Sequence, residues 1–332
     1  ACKKVKSFPP NLHKELFHLL KYIAKRLLQS VLTLFIIITI IFCLLRLMPE
    51  EGYLGANYDK MSDIQRETIL TEMGLRDPLP VQLMKFYQGL LQGDFGTSWI
   101  YRPNVAITEI LADKAPISIR MGLMAMGISL VVGIPLGVLM TRFKGNFPDK
   151  LGMGFVVLVM AIPQAVYHLF IQTYLTDFFS LPMLFKEPNM MSWILPTVSL
   201  SLYNTATFAL WMRRYMVDEL NKDYVRLARA KGVKNAVIMG AHVFPNAFVP
   251  LIQTIPTLIL QTAMGSIYVE SLYSVPGMGG LLVDVIQRQD NAMVQALVLI
   301  YAALGILGLL LGDILMGLCD PRITFAEKGG SR

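Results

Sequence analysis

Long apolar runs alternate with charged segments along the whole chain. Six stretches contain no Asp, Glu, Lys or Arg: 27–45 (19 residues), 121–141 (21), 151–176 (26), 188–212 (25), 235–269 (35) and 291–312 (22). Each is longer than the ~18 apolar residues that cross a bilayer as a helix. The next longest, 271–283, has 13. The pattern predicts an all-α polytopic membrane protein with six transmembrane helices. Of the run 235–269 only the later part, from about Ala247, is expected to span. Ahead of the first run, Leu12, Leu16, Leu19, Leu20, Ile23 and Leu27 recur at helical spacing with Lys14, Lys21 and Lys25 between them. That spacing predicts an N-terminal amphipathic helix lying on the membrane surface before the chain turns in.

Composition agrees: 54% of the 332 residues are apolar and 16% charged, against about 25% charged in soluble domains. A soluble enzyme, a disordered chain and a secreted disulfide scaffold are excluded. The net charge of +7 becomes informative once divided at the spans. Segment 1–26 carries +6, 47–115 carries −4, 142–150 carries +2, 177–187 carries −1, 213–234 carries +4, 284–290 carries −1 and 319–332 carries +1. The sign alternates at every crossing. Because Lys and Arg are retained on the cytoplasmic side, both termini are expected to be cytoplasmic, with 49–115 outside. The same rule accounts for the basic pI without nucleic acid. The first apolar run is followed by Arg46-Leu47-Met48-Pro49, which has no small-residue cleavage site, so it is expected to stay as an uncleaved span. Cys2, Cys43 and Cys319 lie in separate segments, and His13, His18, His168 and His242 show no metal-ligand spacing.

Within the spans, Pro135, Pro163, Pro196, Pro250 and Pro256 free backbone carbonyls that need partners. Gln164, Asn204 and Gln253 are candidate groups lining a water-filled path; helix packing explains such amides equally well. Gly133-x-x-x-Gly137 and Gly308-x-x-x-Gly312 permit close helix approach. Arg120 and Glu270 both fall near the outer face and are candidates for a gate-closing pair, simple snorkelling being the other reading. In the 49–115 loop, Ser62 with Gln65 forms a capping-box pattern opening a helix over 62–73 that ends at Gly74. A turn at Asp77-Pro78-Leu79-Pro80 then leads into an amphipathic helix over 81–91.

The segment richest in chemistry lies between the fourth and fifth runs. Asn221 or Asp223 is positioned to cap a helix over about 223–231, and Gly232 supplies a left-handed stop. Tyr224, Leu227, Ala228 and Lys231 fall on one face, Arg226 and Arg229 on the other. Such a helix suits docking into a groove of another protein or resting on anionic lipid.

The run Tyr224-Val225-Arg226-Leu227-Ala228-Arg229-Ala230-Lys231-Gly232, followed by His242-Val243-Phe244-Pro245-Asn246-Ala247, resembles the E-A-A-x3-G-x9-I-x-L-P loop of ABC-importer permeases. Gly232, Ala228 and Phe244-Pro245 match, while Arg226, Leu227 and His242 depart from the pattern. The form is similar to the oligopeptide/dipeptide branch of the binding-protein-dependent, type I importers. Further matching motifs are Gly93-Asp94-Phe95-Gly96-Thr97-Ser98, Val269-Glu270-Ser271-Leu272-Tyr273-Ser274-Val275-Pro276-Gly277-Met278-Gly279 and Asp320-Pro321-Arg322-Ile323.

The resemblance implies a type I ABC importer permease fold and a definite organisation. Residues 1–26 form a cytoplasmic amphipathic segment, 27–48 the first transmembrane helix, and 49–115 an extracytoplasmic loop region. The permease core is 116–318, with helices 2–6 and a cytoplasmic coupling loop at 213–246, and 319–332 is a cytoplasmic tail. It implies a second, homologous permease subunit, two ATPase subunits that bind ATP and Mg, an extracytoplasmic substrate-binding protein, and a bacterial or archaeal cytoplasmic membrane. Asp223, Tyr224, Arg226, Leu227, Ala228, Ala230, Lys231 and Gly232 would contact an ATPase. Short peptides are the implied cargo, although similar permeases serve nickel, glutathione or haem. Independently, the chain has no G-x-x-x-x-G-K-[ST] phosphate cradle, so it is expected to be a non-catalytic subunit. The alternative is a secondary transporter coupled to an ion gradient, but every Asp, Glu, Lys and Arg lies near a span end.

Overall fold

The computed structural model describes residues 12–47 and 51–319, with the side chains of 12–22, 51–52, 55–57 and 319 left aside. The motif at 320–323 and the segment 1–11 lie outside the described residues. Helix α1 spans Leu12–Arg46 without interruption. The expected turn between a surface helix and the first span is therefore absent. The reason is local: no Gly or Pro occurs between Leu12 and Arg46, so nothing stops helix propagation.

After α1 come a short helical turn at Glu51–Leu54 and a 3₁₀ turn at Gly55–Lys60. Helix α2 (Asp63–Glu72) opens with the capping box its sequence announces: Gln65 N–H donates to Ser62 Oγ and Ser62 N–H to Gln65 Oε1. Gly74, at φ +69°, follows its end. Beside α2, the Arg76 guanidinium holds the Glu67 carboxyl below the usual carboxylate range. Helix α3 is Leu79–Leu91, and a small antiparallel pair, β1 (Thr97–Ser98) and β2 (Val105–Ala106), leads into α4 (Ile107–Arg142).

The third apolar run does not cross as one straight helix. It divides into α5 (Phe147–Ala161) and α6 (Gln164–Phe179), bent by 110°. Ile162 is extended (φ −84°, ψ 132°) because the ring of Pro163 disfavours helical geometry in the residue before it. A π-helical stretch at Ile171–Leu175 lies within α6.

Helix α7 (Met191–Leu220) is the central element, packed most extensively against α4. After it come α8 (Asp223–Ala230), a π-helical stretch at Ile238–Val243, α9 (Phe244–Ala263), α10 (Ile267–Tyr273), α11 (Met278–Gln287) and α12 (Asn291–Cys319). Among the described residues, four helical runs are long and apolar enough to cross a membrane: Ile23–Arg46, Ile107–Arg142, Asn235–Tyr273 and Asn291–Leu318. The α5–α6 pair makes a fifth if counted as one span. Helix α7 misses that apolarity because Ser192, Thr197, Ser199, Ser201, Asn204 and Thr205 interrupt it, all of them buried.

The two glycine motifs explain two of the close helix contacts. A side chain at Gly133 or Gly137 would meet the carbonyl oxygens of Thr205 and Ala209 at 2.7 and 2.6 Å, which seats α4 on α7. Gly308 and Gly312 likewise receive the backbone of Thr257 and Gln253, so α12 lies directly on α9.

Candidate functional site

Helix α8 is held in place by one apolar anchor, one polar tie and one glycine. Val225 is fully buried and Ala228 half-buried, packed with Met216, Ile238 and Val243 from the ends of the neighbouring helices. The Tyr224 hydroxyl donates to Glu219 Oε2 (2.6 Å) at the end of α7 and accepts from Asn246 Nδ2 (3.2 Å) in the first turn of α9. Three helices thus meet at one phenol. At the other end, Gly232 N–H donates to the Arg229 carbonyl (2.9 Å) and Val233 N–H to the Ala228 carbonyl (3.1 Å). These two bonds form a Schellman stop that needs the left-handed φ of +77° at Gly232.

Two local readings change. Neither Asn221 nor Asp223 caps α8; Lys222 occupies the N-cap position without a side-chain bond. Asn221 Nδ2 instead donates to the Val217 carbonyl, and Asp223 pairs with Arg226 at 3.4 Å in solvent. The expected face also splits: Ala228 turns inward beside Val225, while Tyr224, Leu227 and Lys231 look outward. Leu227 is 56% exposed, and Arg226, Arg229, Ala230 and Gly232 are exposed around it. Val225 was missed, although its i,i+3 relation to Ala228 marks the buried stripe.

Arg120 and Glu270 do not pair. Arg120 is exposed, and Glu270 is 2% exposed, with its carboxylate accepting from Ser118 Oγ (2.7 Å), Gly279 N–H (2.7 Å) and Gly280 N–H (2.9 Å). Those amides open α11, so the carboxylate faces the positive end of that helix. Ser118 Oγ also accepts from Met278 N–H at 2.8 Å. Gly265 and Gly277 line the cradle so closely that a side chain on either would collide with the Glu270 carboxyl. A second buried carboxylate works alike: Asp290 Oδ2 accepts from Ser98 Oγ (2.6 Å), Ile100 N–H (3.1 Å) and Tyr101 N–H (2.9 Å). It fastens the β1 end of the 49–115 region to the start of α12. Around it Ile107, Ile110, Leu282, Val285, Met293 and Leu297 form a compact apolar core.

The three amides proposed for a path are placed as follows. Asn204 Nδ2 donates to Thr262 Oγ1 (2.9 Å), joining α7 to α9. Gln253 Nε2 donates to Asp313 Oδ1 (3.0 Å), joining α9 to α12, and Asp313 lies 3.4 Å from Arg26 of α1. Gln164 is half-buried in the first turn of α6. At least two of the three therefore serve helix contacts. Sequence reading also missed the bidentate pair of Arg213 with the buried Asp149 (2.6 and 2.8 Å), which ties α7 to the start of α5.

The α8 loop and the buried glutamate before α11 fall within the region matched by a known family, the binding-protein-dependent transport system inner membrane components, over residues 133–325. Its N-terminal companion family matches residues 19–121. The chain belongs to this family. It is a multi-pass ABC-importer permease. It is 31% identical over 306 residues to the dipeptide transport system permease protein DppB of Lactococcus lactis subsp. cremoris, covering 92% of this chain and 99% of that protein. It is 37% identical over 212 residues to the oligopeptide transport system permease protein AmiC of Streptococcus pneumoniae serotype 4, covering 63% of this chain and 42% of that protein. It is 30% identical over 308 residues to the glutathione transport system permease protein GsiC of Pectobacterium atrosepticum, covering 92% and 100%.

Proposed function

We propose that this permease forms half of a translocation path for short peptides, delivered by an extracytoplasmic binding protein and driven by ATP hydrolysis in partner subunits. The observation that carries the mechanism is the mounting of α8. Its inner face is one buried valine and a half-buried alanine, and its outer face presents Leu227, Arg226, Arg229 and Lys231 to solvent. A helix seated so lightly on its own chain, with an exposed leucine between basic residues, fits a cleft in a second protein. Asp223, Tyr224, Arg226, Leu227, Ala230, Lys231 and Gly232 form the coupling surface, and Ala228, turned inward, seats it. Tyr224 transmits its movement, because the same hydroxyl holds the end of α7 and the start of α9. ATP and Mg are bound by the two ATPase subunits, and a homologous permease completes the path. The chain itself converts their closure into a rigid-body tilt of α7 and α9.

In the same reading the chain crosses a bacterial or archaeal cytoplasmic membrane six times with both termini inside. Helix α7 and the bent α5–α6 pair supply the two crossings beyond the four most apolar runs. The peptide cargo is supported by the similarity to the dipeptide permease DppB and the oligopeptide permease AmiC, and by that to GsiC, a permease for glutathione, itself a small peptide. The test is co-purification and uptake with Leu227→Asp. The expected result is loss of the ATPase subunits and of uptake, with the chain's own yield unchanged. Uptake that persists without any ATPase and follows an ion gradient overturns the reading in favour of a secondary transporter.

A further inference from the structure

Helix α3 belongs to the loop region expected to lie in water, yet it packs against the side of a membrane span. The Phe86 ring stacks on Phe42 (5.1 Å between centroids) and the Tyr87 ring on Phe35 (5.0 Å). The Tyr87 hydroxyl lies 2.7 Å from Thr39 Oγ1 and 3.1 Å from the Phe35 carbonyl oxygen. Phe35, Thr39 and Phe42 all sit inside the charge-free run 27–45. At 1.5 Å per residue, Phe35 lies ~16 Å and Phe42 ~6 Å along the helix from Arg46. Half the hydrocarbon thickness is ~15 Å. Helix α3 therefore runs beside the outer half of α1 and not above it.

The composition of α3 suits that depth. Gln82, Lys85, Gln88, Gly89 and Gln92 share one arc of the helix, and Leu79, Leu83, Met84, Phe86, Tyr87, Leu90 and Leu91 share the other. Of the apolar arc only the middle is covered by α1. Leu79 (45%), Met84 (63%) and Leu91 (88%) stay exposed, as do Phe35, Ile36 and Ile40 of α1. In the same region α2 exposes one large apolar residue, Ile64, among charged neighbours.

Behind the polar arc is a cavity of about 250 Å³ lined by Arg46, Gln82, Lys85, Asp94, Trp99 and Gln295, among others. Arg46 stacks over Phe42 (5.0 Å) and Tyr53 (5.7 Å) and has no carboxylate within ion-pair distance among the described residues. Lys85 is paired with Asp77 (2.7 Å). Two wall amides are buried with one atom lacking a hydrogen-bond partner among the described residues: Gln82 through Oε1 and Gln295 through Nε2. The cavity thus offers a guanidinium whose contacts are with the neutral side chains of Phe42 and Tyr53 and an amide donor for an anion, with an amide acceptor nearby for a donor group. All this sits at the depth where a span leaves the hydrocarbon. We propose that α3 is embedded in the outer leaflet and that this cavity seats the phosphodiester headgroup of a phospholipid whose head carries a hydrogen-bond donor, ethanolamine or glycerol. The leaflet's being the outer one rests on the orientation proposed above; contact with lipid does not.

The test uses the full chain with its native cysteines replaced, reconstituted in phosphatidylethanolamine and phosphatidylglycerol vesicles. Bimane is attached at Met84→Cys, Leu91→Cys or Ile64→Cys. Lipids spin-labelled on the acyl chain are expected to quench the first two at least about threefold more than the third. Equal quenching at all three positions overturns the embedding. Labelling of Ile64→Cys by an impermeant maleimide in intact cells checks orientation separately, since chain quenching is the same on either side. For the headgroup, native mass spectrometry is expected to show about tenfold less retained lipid for Arg46→Gln, partial recovery for Arg46→Lys, and no displacement by inorganic phosphate. Unchanged lipid in Arg46→Gln, or displacement by free phosphate, overturns the headgroup site.

Discussion

The two loop regions that flank the helices of this permease are fastened by opposite means. The cap made of β1, β2, α11 and the start of α12 is pinned by two buried carboxylates, Glu270 and Asp290. Each accepts from at least two backbone amides and one serine hydroxyl. The α8 loop depends on one buried valine, one shared phenol and a glycine stop, with most of its surface in solvent. Charge-assisted bonds in a dry site are strong and costly to lose, whereas exposed ties contribute little. The difference shows which end of the molecule is built to hold its own shape; the other end is the one proposed above to be completed by a second protein.

Breaking that contrast starts with the largest effect. Glu270→Ala strands three buried donors and is expected to cost ~3–5 kcal/mol, seen as a large drop in melting temperature of the purified chain. Glu270→Gln keeps one acceptor oxygen and should recover about half of that loss. Asp290→Ala is expected to cost ~2–4 kcal/mol. Its mark is faster amide exchange over 97–106, with 224–233 unchanged. Gly232→Val forces a branched residue to a φ of +77° and should cost ~1–2 kcal/mol, loosening 224–233 while the cap stays protected. Tyr224→Phe removes one hydroxyl at the three-helix tie, worth ~0.5–1.5 kcal/mol, and should lower uptake with ATPase subunits still bound. Leu227→Asp is the smallest in stability, within ~0.5 kcal/mol, yet is expected to abolish ATPase co-purification. If Leu227→Asp destabilised the chain as much as Asp290→Ala does, the contrast between the two regions would collapse.

Much of the helical plan was legible in advance because its causes are local. Charge-free runs announce apolar helices, Ser62 with Gln65 announces the start of α2, and Gly232 announces the end of α8. The break at Pro163 is within reach of the same rules, since a proline disfavours helical geometry in the residue before it. The grouping of Tyr224, Leu227, Ala228 and Lys231 on one face does not locate the buried side of α8, since Val225 is a single apolar position in a short, mostly polar helix. The charge of Glu270 marks it in the sequence but does not name its partners. Its hydroxyl partner, Ser118, lies 152 residues away, and its amide partners carry no side-chain signature at all. The lipid-level placement of α3 was hidden for a similar reason, because amphipathic spacing does not say which surface the apolar arc meets.

By itself the sequence determined that this is a polytopic helical membrane protein with a short, glycine-stopped helix between its fourth and fifth apolar runs. Those properties follow from hydropathy, charge placement and glycine stereochemistry, which act over a few neighbouring residues. Only the tertiary structure decided that Glu270 is a helix cap and not half of an ion pair, that Asn204 and Gln253 join helices, and that α3 lies against the first span. Each of those outcomes depends on which distant backbone group comes within about 3 Å of a side chain, and long-range packing alone sets that distance.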